Sequence, residues 1–417
     1  MEVVNGSIIC AIDVGTTKVC TLIAQMQPDG SLSTLGYSTV PSRGLRKGII
    51  VDIEETTTAI SESLSRAERM AGVKISHAIS GITGHHIHSV NCRTSISIHG
   101  EDDVISEEHV NRLINEVRVL TPAPEDSEIL HIIARQFILD GLSGVKNPVG
   151  MHGRKLSVDA HVVFVRSSFM RNLVECLRRV GIEHVELVLE PIAAAEAVLT
   201  ETEKQLGVAL LDIGGGTTDI AIFTNGSIAY SRALPVGGNH VTQDLSIGLR
   251  TPFHEAESLK LQHGCAIENK IPKDEVIEVL DIGMSEKRLL PKRVVGQIIE
   301  PRMRELLELA YMAMSESGLV DNLASGVVIT GGGALLKGTD ELAKEIIGLP
   351  TRLGIPKAPM ELSEPLQSPI YATSIGLLLY GAKLLREEKV EVEEKPLWKR
   401  FLNTINTLLR KAKEALK

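Results

Sequence analysis

Short apolar runs closed by glycine turns alternate along this chain with longer stretches of helical period. Ser7–Ile12 and Val19–Ala24 flank the polar turn Asp13-Val-Gly-Thr-Thr-Lys18. Far downstream, Val208–Leu211 and Ile220–Phe223 flank Asp212-Ile-Gly-Gly-Gly-Thr-Thr-Asp219. Each set predicts a strand, a tight turn and a second strand. Ile53–Ala71 places apolar residues at helical spacing, and Ser106–Leu120 predicts a second helix behind an acidic cap. Val90–Ile98, Leu130–Leu139 and Ser157–Val165 read as further strands, with a proline-punctuated loop at Thr121–Pro124. Three glycines separate a strand at Val327–Thr330 from the helical stretch Ala334–Ile347. Near the end, Leu397, Trp398, Phe401, Leu402, Ile405, Leu408, Leu409, Ala412 and Leu416 form a stripe at i, i+3, i+4 spacing behind Pro396. The mixture of elements predicts an α/β fold.

The two turns carry matching chemistry. A phosphate seated in a hairpin turn needs backbone N–H groups aimed at it and side chains small enough to let it approach. Gly15, Gly214, Gly215 and Gly216 give that access. Thr16, Thr17, Thr217 and Thr218 add hydroxyl donors, and Lys18 adds a positive charge. Asp13 and Asp212 each end a strand and would face each other across the phosphates. Mg²⁺ suits that place, because it keeps several waters and takes few protein carboxylates. One such turn is an ordinary glycine-rich hairpin. Two, one in each half, point to two related lobes closing on a single polyphosphate.

Three more features fit a nucleotide. Gly331, Gly332 and Gly333 leave bare backbone at a strand end, where a nucleotide can lie against the chain. Glu257 and Lys260 stand at i, i+3 on one helix face. Glu257 would accept from ribose hydroxyls while Lys260 packs along the base; alone, the pair reads as a surface ion pair. Leu189-Glu190-Pro191-Ile-Ala-Ala-Ala195 opens a helix with small residues suited to close packing at a hinge. No Gly-x-x-x-x-Gly-Lys-Ser/Thr loop and no Gly-x-Gly-x-x-Gly after a strand is present, which disfavours P-loop and Rossmann folds.

In this order and spacing, these segments resemble the actin-like ATPase superfamily, with Tyr371-Ala-Thr-Ser-Ile-Gly376-Leu-Leu-Leu-Tyr-Gly381 as its second connecting helix. The match narrows further. Ser42-Arg-Gly44 with Gly48 and Asp52, Asn147-Pro148-Val-Gly150-Met-His-Gly153, Leu234-Pro-Val-Gly-Gly238 and Ile299-Glu300-Pro301-Arg302 are similar to FtsA, a bacterial cell-division family. The resemblance implies a two-lobed ATPase fold with an inserted small α/β subdomain and a C-terminal amphipathic helix. It implies a first lobe core at residues 1–84 and 163–190, with the insertion, used for contacts between polymer subunits, at 85–162. The second lobe core would take 191–228 and 303–385, and its outer subdomain 229–302. A linker at 386–395 and an amphipathic helix at 396–417 would follow. In the outer subdomain, Lys287, Arg288, Lys292, Arg293, Arg302 and Arg304 form a basic cluster. The resemblance implies that this region, with Lys292, Arg293, Glu300 and Arg302, binds the C-terminal tail of the tubulin-like protein FtsZ. Solvated surface charge is the plainer reading of the cluster.

Composition narrows the classes. A net charge of −9, with no basic patch of interleaved aromatics, argues against nucleic acid. The five scattered cysteines form neither a disulfide framework nor a zinc pattern. The N-terminus lacks a basic signal region, and no run of 18 apolar residues is present to span a bilayer, so a reducing intracellular compartment is expected. His85-His86-Ile-His88 has no cysteine or carboxylate at ligand spacing and reads as a polar strand edge.

The last stretch carries Lys399, Arg400, Arg410, Lys411, Lys413 and Lys417 against Glu414. It is too charged to cross a bilayer and suited to lie in the interface, with Trp398, Phe401, Leu402, Ile405, Leu408 and Leu409 toward the acyl chains of anionic lipid. Docking on its own globular part, or on a partner helix, is the alternative. With these features, the resemblance implies an ATP- and Mg²⁺-binding filament protein that tethers the FtsZ ring to the inner face of the cytoplasmic membrane at the septum. It would polymerise with itself and recruit downstream division proteins. Glu190 and Asp212 are the expected catalytic groups of a slow hydrolysis. The rivals are a small-molecule kinase of the same superfamily and a pilus-assembly adaptor.

Overall fold

The computed structural model describes residues 7–99, 103–282, 287–357 and 364–394, except the side chains of Glu364 and residues 387–394. The amphipathic stretch 396–417, with Trp398, Phe401, Leu402, Ile405, Leu408 and Leu409, lies outside the described residues.

The chain opens with an antiparallel meander, β1 (Ile8–Val14), β2 (Lys18–Met26) and β3 (Leu32–Pro41). A two-stranded ribbon, β4 (Leu45–Arg46) and β5 (Ile49–Ile50), leads into helix α1 (Ile53–Ala71). The Asp52 carboxylate accepts from Glu55 N at 2.9 Å, and Gly72, at φ 69°, ends the helix in the left-handed region. β6 (His77–Ile82) then joins β1 in parallel.

Between β6 and the next strand of that sheet lies a separate unit. It comprises β7 (His88–Ser97), α2 (Glu107–Leu120), β8 (Ser127–Leu139), β9 (Leu142–Val145) and β10 (Lys155–Arg166), in sheet order β7-β10-β8-β9. The apolar face of α2 packs on this sheet with Leu113, Val117, Leu156 and Val158 in a core of its own. After α3 (Ser167–Arg179), β11 (His184–Leu189) completes the first sheet, in order β11-β6-β1-β2-β3.

The chain crosses to the second lobe through α4 (Glu190–Val198) and α5 (Glu201–Leu206). There β12 (Val208–Ile213), β13 (Thr218–Thr224) and β14 (Ser227–Leu234) repeat the meander of the first lobe. α6 (Gly238–Gly248), α7 (Phe253–His263) and the ribbon β15 (Val276–Leu280) with β16 (Lys287–Pro291) build the outer part. α8 (Arg293–Glu316), β17 (Val327–Thr330), α9 (Thr339–Ile347) and β18 (Thr351–Leu353) return to the sheet, in order β14-β13-β12-β17-β18. β12 is buried along its whole length, as a strand covered on both faces must be. The expected boundary at 302/303 falls inside the continuous helix α8.

α10 (Ala372–Glu394) closes the fold. Ala193, Ala194 and Ala195 of α4 and Ala372, Ile375 and Leu378 of α10 share one core with Ile9 and Leu22 of the first sheet and with Leu210 and Ala221 of the second. The two helices therefore form a layer common to both lobes. α10 continues through the acidic stretch 386–394, read from sequence as a linker; its Glu, Lys and Val residues continue the helix without a breaker.

Candidate functional site

The two turns predicted from sequence meet tip to tip. Gly15 N donates to Lys18 O at 3.0 Å, and Gly214 N donates to Thr217 O at 2.9 Å, closing the two hairpins alike. A methyl group on Gly215 would lie 2.2 Å from the Thr17 Cγ2 methyl, and one on Gly216 would lie 2.6 Å from the Thr16 hydroxyl oxygen. Glycine is required there by close approach rather than by backbone angle. Behind the second turn, Gly238 N donates to Gly214 O at 2.9 Å and Asn239 N to Gly215 O at 2.8 Å, so the start of α6 braces it.

Between the lobes the turns open onto a cleft of about 600 Å³. That volume lies within the range of nucleotide-sized sites. Asp13, Gly15, Thr16, Thr17, Lys18, Glu190, Asp212, Gly214, Gly215 and Thr217 line one end, and Glu257, Lys260 and Gly331–Gly333 the other. Two predicted residues play different parts. Gly216 packs against the opposite turn, and the buried Thr218 hydroxyl donates to Val236 O at 2.8 Å, away from the cleft. Thr16 Oγ1 accepts from Gly48 N at 3.0 Å, which ties the first turn to the loop after β4.

The polyphosphate end is crowded with carboxylates. Asp13 accepts from Lys18 Nζ and from the Ser374 hydroxyl, each at 2.7 Å, and Asp212 accepts from Thr373 Oγ1 at 2.9 Å. Adjacent hydroxyls at the start of α10 thus hold one carboxylate from each lobe. Asp219, which sequence reasoning left without a role, also lines the cleft and accepts from the Thr83 hydroxyl of the first lobe. Burial pushes Asp212 up to about 6, with Asp13 adding to it. Burial and the Asp212 charge push Asp219 up to about 7. Glu190 is raised well above the usual carboxylate value by burial and by Asp13, Asp219 and Asp212. For Lys18, burial opposes the charge, but Asp13 and its neighbours outweigh burial and raise the value.

Four carboxyl groups against one ammonium raise one another's proton affinity, and a divalent cation would favour their ionised forms. Among the described residues no three His, Cys, Asp or Glu side chains are grouped to ligate a metal directly. A hydrated Mg²⁺ touched by few carboxylates fits this donor set, and a fully protein-ligated ion does not.

At the nucleoside end, Lys260 Nζ bonds Glu257 at 2.7 Å, Gly238 O at 3.1 Å and Thr242 Oγ1 at 2.9 Å. The pair is fixed inside the cleft wall rather than set on open surface. A methyl built on Gly331, at φ 84°, would lie 2.3 Å from Asp212 Oδ1, so the glycine run starts beside the phosphate-end carboxylate and leads from it toward Glu257 and Lys260.

The basic cluster of the outer part is engaged within the chain. Lys292 pairs with Glu275 at 2.7 Å, Arg293 with Glu268 at 2.7 Å and Arg302 with Asp244 at 2.5 Å. Glu300 pairs with Arg304 at 3.3 Å and accepts from Glu268 N at 2.6 Å. His86 is not a strand edge: it is buried ahead of β7, with its ring centroid 4.5 Å from that of Phe169. The signal for Asp219, Thr373 and Ser374 was present in quoted motifs, but their pairing partners are remote in sequence and invisible there.

Comparison with known proteins places the chain. A family model described as cell division protein FtsA matches residues 209–376, and a model of the SHS2 domain inserted in FtsA matches 84–164. The cell division protein FtsA of Pseudomonas aeruginosa is 39% identical over 91% of this chain and 90% of its own length. That of Escherichia coli (strain K12) is 31% identical over 99% of both chains. Among solved structures, a PilM–PilN type IV pilus biogenesis complex superposes with a TM-score of 0.63 at 16% identity, covering 90% of this chain and 98% of that chain. MreB 5 of Spiroplasma citri bound to AMPPNP gives 0.55 at 17% identity, covering 92% and 98%. These two show the fold, that of the actin-like proteins.

Proposed function

This chain belongs to the FtsA family of cell division proteins, and on that premise we propose that it is an ATP-binding filament protein that tethers the FtsZ ring to the membrane. The observation that carries the nucleotide part is the pair of phosphate turns, one per lobe, meeting over a single cleft with Asp13 and Asp212 pinned by Ser374 and Thr373.

In this reading Gly15–Lys18 and Gly214–Thr217 hold the phosphates. Asp13 and Asp212 would hold Mg²⁺ through its waters, and the ion would supply positive charge against the phosphates. Glu257, Lys260 and Gly331–Gly333 hold the nucleoside. Glu190 orients the attacking water and takes its proton. Burial, more than the neighbouring carboxylates, disfavours its ionised form, so it activates water weakly and hydrolysis is slow.

ATP closes the lobes, closed subunits polymerise, and the polymer gathers many copies of the amphipathic stretch 396–417. One copy binds anionic lipid weakly, at about 1 kcal/mol per lysine or arginine near the surface. Linked copies bind by avidity. The FtsZ tail, an acidic partner, docks on the outer part near Lys292, Arg293, Glu300 and Arg302, where it exchanges with the internal pairs. The protein sits at the septum on the inner face of the cytoplasmic membrane and recruits later division proteins.

Trp398 is the single tryptophan and reports the membrane step. Its emission is followed on titration with anionic and neutral vesicles, with and without ATP–Mg²⁺. A blue shift on anionic vesicles, strengthened by ATP, is expected. No shift under any condition removes the membrane claim and brings a soluble kinase of the superfamily forward.

A further inference from the structure

The insertion is attached to the first lobe by covalent connections, yet it also docks on the second. The outer edge of β14 presents backbone carbonyls that no strand covers. The Asn91 side-chain amide on β7 donates to Ala229 O at 2.9 Å, and the Ser89 hydroxyl donates to Ser231 O at 3.0 Å. His161 on β10 stands opposite Asn91 in the register. Its Nδ1 lies 2.8 Å from Asn91 Oδ1 and its Nε2 3.1 Å from Ser231 Oγ. The Asn91 amide donates to Ala229 O, which leaves Asn91 Oδ1 to accept from His161 Nδ1–H. Burial, with Arg135 and His131 nearby, lowers His161 to about 4, and in the neutral ring Nε2 accepts from the Ser231 O–H.

The same chain segment touches the second lobe once more. Thr83, a few residues before Ser89, donates to Asp219 on β13 at the floor of the cleft. Asp219 pairs with Ala233 of β14, two residues from Ser231. Residues 83–91 therefore meet the second lobe at both ends, at β13 on the phosphate side and at the β14 edge, while Ile87 between them packs in the first lobe's core. The first and second lobes cannot separate at the cleft without pulling on both contacts.

We propose that residues 83–91, with His161, form a latch that docks the insertion on β14 when the cleft is closed and frees it when the cleft opens. The insertion's orientation, and with it any contact it makes, then follows the state of the nucleotide site. This rests on the nucleotide reading above.

The test is hydrogen exchange on the full-length protein, read at β7 and at Ile228–Ser231, with calorimetry of AMPPNP–Mg²⁺ binding alongside. Bound nucleotide should slow exchange at both places. The double variant Ser89→Ala/Asn91→Ala, outside the cleft, should still bind nucleotide, weakened by no more than the coupling it has lost, and should lose that response. Its exchange at Ile228–Ser231 should be about 5- to 30-fold faster, as for loss of one or two modest interactions. Equal protection with and without bound nucleotide, or an unchanged response in the double variant, overturns the latch. A second arm needs no nucleotide: Thr83→Val, isosteric but without the donor, should loosen Ile228–Ser231 in the free protein. If it leaves that exchange unchanged, the latch is wrong. Absence of AMPPNP binding by calorimetry refutes the nucleotide reading separately, and the Thr83→Val arm still decides the latch.

Discussion

Gly376 is the tightest point of the helix layer between the lobes. A methyl group built on it would lie 1.8 Å from Ala193 O and 2.3 Å from the Ala193 carbonyl carbon. Carbon contacts are comfortable near about 3.5 Å, so Gly376→Ala must part α4 and α10 by more than about 1.5 Å. The clash is with backbone, which no rotamer change relieves. Overpacking of this kind costs about 1–3 kcal/mol or more, while replacing a mid-helix glycine with alanine returns about 1 kcal/mol. The expected net loss is about 2 kcal/mol, and it falls on the layer through which both lobes move. Gly381 is the internal control. A methyl there meets the Ile79 Cδ1 tip at 2.2 Å and the Ile9 Cγ2 methyl at 2.9 Å, side-chain atoms rather than backbone. Gly381→Ala should therefore cost less than Gly376→Ala. Urea denaturation with unchanged m-values measures both. If Gly376→Ala is neutral or stabilising, the crossing is looser than described and the account of α4 and α10 as a tightly packed hinge fails.

The raised carboxylates set a pH dependence. Asp212 and Asp219 reach about 6 and about 7 in the fold against 3.8 for a free side chain. The native state therefore binds more protons than the unfolded chain between those values, so stability of the nucleotide-free protein falls as pH rises from about 4 to about 7 and levels off above that. Tm should drop over that range and flatten when ATP and Mg²⁺ are added; a slope unaffected by either would contradict the raised carboxylates. Lys18→Met leaves Asp13 with only the Ser374 hydroxyl and should weaken ATP binding by about 10- to 100-fold in calorimetry, the loss expected for a charge-assisted contact. Arg302→Ala breaks the pair with Asp244 and should cost about 1 kcal/mol of stability by denaturation, modest because both side chains are partly exposed. Affinity for an FtsZ tail peptide should fall beyond that loss if Arg302 contacts the peptide, and stay level if its role is only internal.

The repeated Asp-x-Gly hairpins with their threonine pairs, the small residues before the second one and the ordered glycine clusters were local patterns. They were legible because strand period, turn chemistry and close backbone approach act over a few residues. That legibility extended to the α/β class and to most of the cleft lining. Tertiary structure alone decided the rest. Ser374 and Asp13 are bonded across 361 positions, and Thr373 and Asp212 across 161, which no local signal encodes. Burial turned Asp219 from the last residue of a motif into a strongly perturbed carboxyl. It also turned the basic cluster of the outer part from apparent open charge into internal pairs. His86 went from a polar edge to the core, because solvent exposure is a property of packing and not of residue type. The docking of Asn91 and His161 on β14 belongs to the same class: the side chains were ordinary, and their meaning came from the strand edge placed against them.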